Sequence, residues 1–259
     1  MVLWLAVWQN VWIILTRQRG IMATVASIMA ELKKKGSAQT RKIYARHGMA
    51  TDNMYGVNIA DLKIILQKIK GEQELALGLF ATGNVDAMYL AGMVADGSKM
   101  SKRDLQAWAE GAAGLQMIAE YTVPWVAVEN ASGRELALQW MKSTNEQVAS
   151  TGWCTYSGLL ATTADEKLDL AEIETLIGTA VNGIGGAQNR VRYTMNGFLI
   201  AAGSYVKPLL RKAKAAAKLV GNVSVDVGET ACRVPVAAEY IAKMEAKGLT
   251  GKKRKTIRC

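Results

Sequence analysis

Hydrophobic residues recur three and four positions apart along nearly the whole chain after Met22, which is the spacing of one helix face. The stretch "NIADLKIILQKIKG" shows a complete helix of this kind. Asn58 supplies a capping side chain, Asp61 favours the positive end of the helix dipole, and Gly71 ends the segment. Alternating residues occur in one short stretch, "NVSVDVG" at 222–228. The pattern therefore predicts an all-α fold with at most one strand.

Short breaks rich in Gly, Asn, Asp and Ser separate the predicted helices. The helices are expected near residues 23–34, 38–46, 59–70, 72–81, 84–94, 101–111, 115–122, 131–141, 144–161, 169–182, 189–203, 207–219 and 230–247. Connections this short make consecutive helices antiparallel neighbours. The arrangement favours stacked helical hairpins of the HEAT or armadillo kind. An irregular all-α globule is the alternative, because no strict sequence period is visible.

The positive charge of the chain lies almost entirely in its last third. The net charge is +10 overall, yet 15 Lys and Arg residues against four acidic residues lie from Gly185 to Cys259. The preceding part is close to neutral. A basic third attached to a neutral body favours a polyanionic partner, nucleic acid first and an anionic membrane surface second. The alternative is a basic surface that only maintains solubility.

Cysteine and histidine usage limits the chemistry and indicates the compartment. The three cysteines, Cys154, Cys232 and Cys259, are far apart, and His47 is the single histidine. No disulfide framework or zinc site can be assembled from them. We therefore expect no metal, no cofactor and a cytoplasmic location.

The chain is expected to divide into three parts. Residues 1–21 are apolar, with Trp4, Trp8 and Trp12 on one helical face, and are interpreted as an extension outside the fold. An interfacial membrane anchor or a helix packed on the domain are the alternatives. Residues 22–247 form the HEAT-like domain, which is expected to have no membrane contact. The basic tail 248–259, ending "GKKRKTIRC", is expected to be disordered.

Several stretches together resemble the DNA alkylation repair family of AlkD-like helical-repeat proteins. They are "NMYGVNIADLKIILQKIKG", "ELALGLFATGNVDAMYLAGMVAD" and "GRELALQWMKSTNEQVASTGW", in the family's order. The resemblance covers about Met22 to Lys247. It implies a HEAT-like solenoid whose basic concave face grips duplex DNA. It also implies removal of cationic N3- and N7-alkylated purines without a metal.

The family's active cleft contains a carboxylate, two tryptophans and an arginine. The resemblance places Glu120, the lone acid of "QMIAEYTVPW", at the carboxylate and Gln116 at one tryptophan. The arginine falls at Ser150 or Thr151, so that role is lost, and Phe198 replaces the second tryptophan. Trp153 is a candidate to fill the space left by Gln116. These departures count against glycosylase activity.

Basic residues near the C-terminus form the candidate DNA contacts. Lys207, Arg211, Lys214 and Lys218 are spaced by 4, 3 and 4 residues, which places them along one helix face. Such a row can follow the phosphates of a duplex strand, although a solvated surface helix gives the same pattern. Arg190 and Arg192 stand at a helix start just before Phe198.

Three functions are consistent with these residues. The first is a glycosylase of alkylation repair in which Glu120 stabilises the sugar cation or orients a water. The second is a family member that binds DNA, including branched or damaged forms, without cutting the glycosidic bond. The third is a HEAT scaffold for a protein partner. In each case we expect a monomer.

Overall fold

The computed structural model describes residues 23–258 of the 259-residue chain. The α-helices are α1 Val25–Lys35, α2 Ala38–Arg46, α3 Ile59–Ile69, α4 Gln73–Ala81, α5 Val85–Val94, α6 Lys102–Gly111, α7 Val123–Glu129, α8 Gly133–Trp140, α9 Glu146–Thr162, α10 Leu170–Gly183, α11 Asn189–Tyr205, α12 Leu210–Val220 and α13 Ala237–Ala246. A π-helical turn, Ile118–Thr122, leads into α7. Within the described part of the chain no strand is present. The all-α prediction is confirmed.

Local sequence signals set the helix ends. The side chain of Asn58 accepts a hydrogen bond from the Asp61 backbone N–H at 2.9 Å, so α3 begins where the sequence predicts. Gly71 after α3 has a φ of +86°, a conformation that favours glycine. Residues 222–228, the predicted strand, form an irregular connection instead. Alternation alone cannot make a strand without a partner strand to pair with.

The helices from α4 onward are arranged as pairs in two layers. The second helix of each pair packs against the second helix of the next, from α5 through α7, α9 and α11 to α13. These second helices are the inner layer. The first helices, α4, α6, α8, α10 and α12, lie on the other side and are the outer layer. Each layer buries its apolar stripe against the other, as HEAT-like stacks do.

A buried carboxylate fixes the N-terminal connection to this stack. Asp86, at the start of α5, accepts hydrogen bonds from the backbone N–H groups of Tyr55, Gly56 and Val57 at 2.6, 3.0 and 2.8 Å. Gly56 has a φ of +80°, which explains the glycine of the "YGVN" turn. These hydrogen bonds hold the turn before α3 against the start of α5, the first helix of the inner layer.

The C-terminal segment 248–258 lies against the body, contrary to the expected disorder. Gly251 N–H donates to the Ser204 carbonyl at 2.8 Å, at the end of α11. Lys253 contacts the Leu160 carbonyl at 2.9 Å and Asp165 at 2.8 Å, beyond the end of α9. The segment thus crosses the C-terminal ends of the inner helices, and we call residues 248–258 the strap.

Arg258 anchors the far end of the strap. Its guanidinium donates to the carbonyls of Gly92 and Ala95 at 2.6 and 2.8 Å, at the end of α5, and pairs with Glu129 of α7. Helix C-termini carry unpaired carbonyls and partial negative charge, so basic residues are stabilising there. The basic composition that suggested disorder instead matches these helix ends.

The predicted extension 1–21 lies outside the described residues. Among residues 23–258, no helix is long and apolar enough to cross a membrane.

Candidate nucleic-acid interface

Glu120 lies in the π-helical turn, and Pro124 explains why the turn is wide. A proline lacks the N–H that would donate to the carbonyl four residues back, which here is that of Glu120, and its ring crowds that carbonyl. The Val123 N–H bonds instead to the Ile118 carbonyl, five residues back. Gly92 of α5 allows the turn to approach closely, since a Cβ there would meet the Thr122 side chain at 2.4 Å. π-turns of this kind often occur at functional sites.

The wide turn leaves the Ala119 carbonyl without its helical donor, and Thr151 supplies one. The Thr151 hydroxyl donates to this carbonyl at 2.8 Å from α9, and Thr151 is fully buried. Thr151 or Ser150 stands where the resemblance places an arginine. The residue at this position therefore has a structural task that the sequence comparison does not reveal.

Glu120 forms a bidentate ion pair with Arg190, the second residue of α11. Arg190 Nε and Nη2 donate to the two carboxylate oxygens, each at 2.7 Å. The side chains are only 4% exposed for Glu120 and 12% for Arg190. The guanidinium also lies over the Tyr193 ring, 4.3 Å from its centroid. Both carboxylate oxygens are therefore engaged by the neighbouring helix.

Burial and pairing act in opposite directions on this pair. Burial raises the pKa of the Glu120 carboxyl above its ordinary value, and the hydrogen bonds and charge of Arg190 offset part of the rise. Burial works to lower the pKa of Arg190, but pairing with Glu120 leaves it raised, so the guanidinium stays charged. Glu146 of α9 faces the pair as well and accepts from the Arg190 backbone N–H at 2.8 Å.

Gln116 shares a cleft with this pair. The cleft is about 260 Å³ and is bordered by Gln116, Glu120, Tyr121 and Arg190. Gln116 donates from Nε2 to the His47 carbonyl at 3.3 Å, so it joins the N-terminal helices to the cleft.

Trp153 and Phe198 do not form cleft walls, which corrects the prediction. Both are almost completely buried, and their rings meet edge to face with centroids 5.1 Å apart. They fill the space between α9 and α11 in the C-terminal core. Helical spacing shows that a residue lies on a helix. It does not show which side of an inner helix borders a cleft and which side packs in the core.

The aromatic walls of the site are Trp125 and four tyrosines, and none of the tyrosines is among the predicted site residues. A cavity of about 270 Å³ lies beside Glu120, between the π-turn, α9, α11, α13 and the strap. Its walls include Tyr121, Tyr193, Tyr205, Tyr240, Trp125 and Arg254. Tyr121 and Tyr240 are each 45% exposed although they are large side chains. Exposed aromatic residues on separate helices are the signal, and it becomes visible only once those helices are adjacent.

The predicted basic row lies in the other layer. Arg211, Lys214 and Lys218 are on the outer helix α12, and Lys207 is in the turn before it. Lys214 pairs with Glu245 of α13 at 2.5 Å. Lys207, Arg211 and Lys218 are exposed and form no ion pair within residues 23–258. None of the four lines the clefts around Glu120.

Arg192, the other arginine at the start of α11, does not join Arg190 at the ion pair with Glu120. Two positions along a helix rotate a side chain by about 200°, so the two arginines point to different sides of α11. Arg192 is half-buried, and its Nε has no hydrogen-bond partner among residues 23–258. No group of three His, Cys, Asp or Glu side chains in the same part of the chain is placed to hold a metal ion.

The comparison with known proteins agrees with this architecture. A sequence model of the family described as "DNA alkylation repair enzyme" matches residues 28–219. The chain belongs to the DNA alkylation repair family. The match spans α1 to α12 and therefore includes the ion pair, the cavity floor and the outer basic row.

Two relatives are similar to this chain over most of their length. The uncharacterized protein Lmo0209 of Listeria monocytogenes is 33% identical over 227 residues, which is 86% of this chain and 97% of the relative. The uncharacterized protein Lin0241 of Listeria innocua is 32% identical over the same shares.

A solved structure supports the HEAT-like fold. It is described as "A new family of proteins related to the HEAT-like repeat DNA glycosylases with affinity for branched DNA structures". The TM-score is 0.83 at 34% identity, over 92% of this chain and all of the solved one. The predicted family and the HEAT-like fold are both confirmed.

Proposed function

We propose that this DNA alkylation repair family protein binds branched DNA and does not excise bases. The observation that carries the proposal is the buried ion pair of Glu120 with Arg190, in which both carboxylate oxygens already accept a guanidinium N–H at 2.7 Å. Branched DNA is the class named for the structural neighbour, which is 34% identical.

The ion pair bears on base excision in two ways. A carboxylate that assists departure of a cationic purine must direct an oxygen at the sugar or at a water. The Glu120 oxygens are directed at Arg190, and the charge of the carboxylate is balanced by a cation that a charged sugar would have to displace. The task assigned to Glu120 here is to hold Arg190, α11 and the π-turn in register.

Exposed cations that remain available for phosphates lie in two places, beside the cavity and on the outer layer. Arg254 of the strap is exposed at the cavity, and Lys207, Arg211 and Lys218 are exposed on the outer side. Phosphate contacts give most of the affinity of a protein for DNA and make it salt-dependent. Cations both at the cavity and on the outer layer suit a substrate whose arms diverge.

Binding is tested with fluorescently labelled three-way junctions and a linear duplex of the same arm sequence. We expect tighter binding to the junction, weakening steeply as salt is raised from about 50 to 200 mM. Equal affinity for junction and duplex contradicts the preference for branches. No salt-sensitive binding of either contradicts the proposal as a whole and favours the scaffold function.

Excision is tested on methylated duplex DNA by measuring released 3- and 7-methylpurines. We expect no release above the background of heat-inactivated protein. Release that is lost in Glu120→Gln, with DNA binding retained, would establish Glu120 as a catalytic residue and contradict the proposal.

A further inference from the structure

We propose that the tyrosine-walled cavity beside Glu120 takes up one unpaired nucleobase of the bound DNA. This inference rests on the proposed function, because it names the part of a branched DNA that the cavity would hold. A branch point that contains unpaired nucleotides exposes bases, whereas a linear duplex keeps its bases paired and stacked.

The size of the cavity limits its occupant. At about 270 Å³ it lies at the small end of the range of ligand pockets, which is roughly 300–1,000 Å³. One planar ring system fits this volume, whereas a base pair or a helix does not. The floor is made by small residues that face each other across α9 and α11, among them Gly158, Ala161, Gly197 and Ala201.

The walls have the chemistry that recognises a base. Tyr121, Tyr193 and Tyr240 come from three different elements and line the cavity. Stacking of bases on aromatic side chains is tolerant of sequence because every base has a π-face. Tyrosine phenols are neutral donors at neutral pH, and partial burial of the phenol groups raises the pKa of Tyr121 to about 12 and raises that of Tyr193 as well.

A buried hydroxyl in the wall lacks a partner. Ser204 is 1% exposed and lines the cavity, and its Oγ has no hydrogen-bond partner among residues 23–258. Buried polar groups are nearly always hydrogen-bonded, so an unpaired one in a cavity indicates a missing polar partner. The ring nitrogens and exocyclic groups of a base provide such partners.

The strap supplies the cation that a nucleotide needs. Arg254 lines the cavity and is exposed, and its guanidinium forms no ion pair within residues 23–258. Its backbone N–H is fixed to the Ala161 carbonyl at 2.8 Å. An arginine beside aromatic walls can bind the phosphate of a base that enters the cavity.

Gly197 provides a test that fills the cavity without disturbing its walls. No atom lies within 4 Å of the position that a Cβ on Gly197 would take, so a larger side chain there enters open space. Gly178 of the outer helix α10 has the same open surroundings. Gly197→Leu is therefore the test variant and Gly178→Leu its matched control, and each replaces a helical glycine with a better helix former.

The probe is a three-way junction with 2-aminopurine as an unpaired base at the branch, compared with a fully paired junction. For the unmodified protein and Gly178→Leu we expect quenching of the probe and about tenfold tighter binding to the junction with unpaired bases. For Gly197→Leu we expect loss of both, with affinity for the fully paired junction within about twofold of the unmodified protein.

The outcomes separate the two proposals. Quenching and preference that survive in Gly197→Leu overturn the base-binding cavity while leaving branched DNA binding intact. A Gly197→Leu protein that loses affinity for both junctions equally, with unchanged thermal unfolding, also overturns it, because the cavity would then serve general binding. If the unmodified protein binds neither junction, the proposed function fails and this inference fails with it.

Discussion

Two neighbouring helices of the C-terminal third each carry cations, and they use them in opposite ways. Arg190 on the inner helix α11 is buried and fully paired with Glu120, whereas Arg211 and Lys218 on the outer helix α12 are exposed and unpaired within residues 23–258. The two helices are separated by only a short turn in the sequence. Side chains of the same charge therefore differ in role. The buried Arg190 stabilises the fold, whereas the exposed Arg211 and Lys218 are available to bind a ligand.

The largest expected effect comes from breaking the inner pair. Arg190→Met leaves the buried Glu120 carboxylate without its cation, and we expect the free energy of unfolding to fall by about 3–5 kcal/mol at neutral pH. Urea unfolding measures this loss. Replacing both partners, Glu120→Gln with Arg190→Met, is expected to recover most of it. A double variant as unstable as the single one contradicts this assignment.

The same variant has an expected pH dependence. Burial raises the pKa of Glu120 in the folded protein, and loss of Arg190 removes what offsets that rise. An acid with a raised folded-state pKa contributes its full stability below its unfolded pKa, near 4.5, and loses it as pH rises through the folded value. The deficit of Arg190→Met relative to the unmodified protein should therefore shrink toward acid pH. A deficit that is constant from pH 7 to pH 5 contradicts this.

The outer cations are expected to affect DNA binding and not folding. Replacing Lys207, Arg211 and Lys218 with Gln removes as many as three phosphate contacts. The slope of log K against log salt should then fall in magnitude by about 2 to 3. Lys33, Lys34 and Lys63, exposed near the other end of the stack, give a triple variant of equal charge change. Equal effects of the two triple variants would show that net charge and not the position of α12 governs binding.

The smallest expected effect tests the strap. Arg258→Ala removes hydrogen bonds to the C-terminal end of α5 and to Glu129. We expect the free energy of unfolding to fall by about 1–2 kcal/mol. Lys255→Ala, three residues earlier and exposed, is the control, with an expected change below about 0.5 kcal/mol. Similar losses for both variants would indicate that the strap acts through its charge alone.

Much of the fold could be predicted from local signals. Periodic apolar residues, the Asn58 cap and Gly71 place α3 correctly, because these depend on contacts a few residues apart. The segment predicted as a helix near 115–122 is helical, but Pro124 widens residues 118–122 into a π-turn and the chain continues directly into α7. The prediction of a disordered tail was wrong because the cations of the tail donate hydrogen bonds to carbonyls near helix ends that are distant in the sequence.

The candidate site was less accessible to sequence reasoning. The sequence assigns Trp153 and Phe198 to a cleft wall, yet both lie in the core, while Glu120 and Gln116 border one cleft. The pairing of Glu120 with Arg190 joins residues 70 positions apart. Sequence spacing carries no information about such a contact, because it depends on how α11 packs beside the π-turn.

The sequence by itself determined the all-α class, the family, the helix caps and the concentration of basic residues in the last third. Tertiary structure alone decided which cations are buried, which carboxylate is neutralised and which aromatic residues face open space. The physical reason is that helix formation is set by interactions over three or four residues. The environment of a side chain is set by whichever helix packs against it.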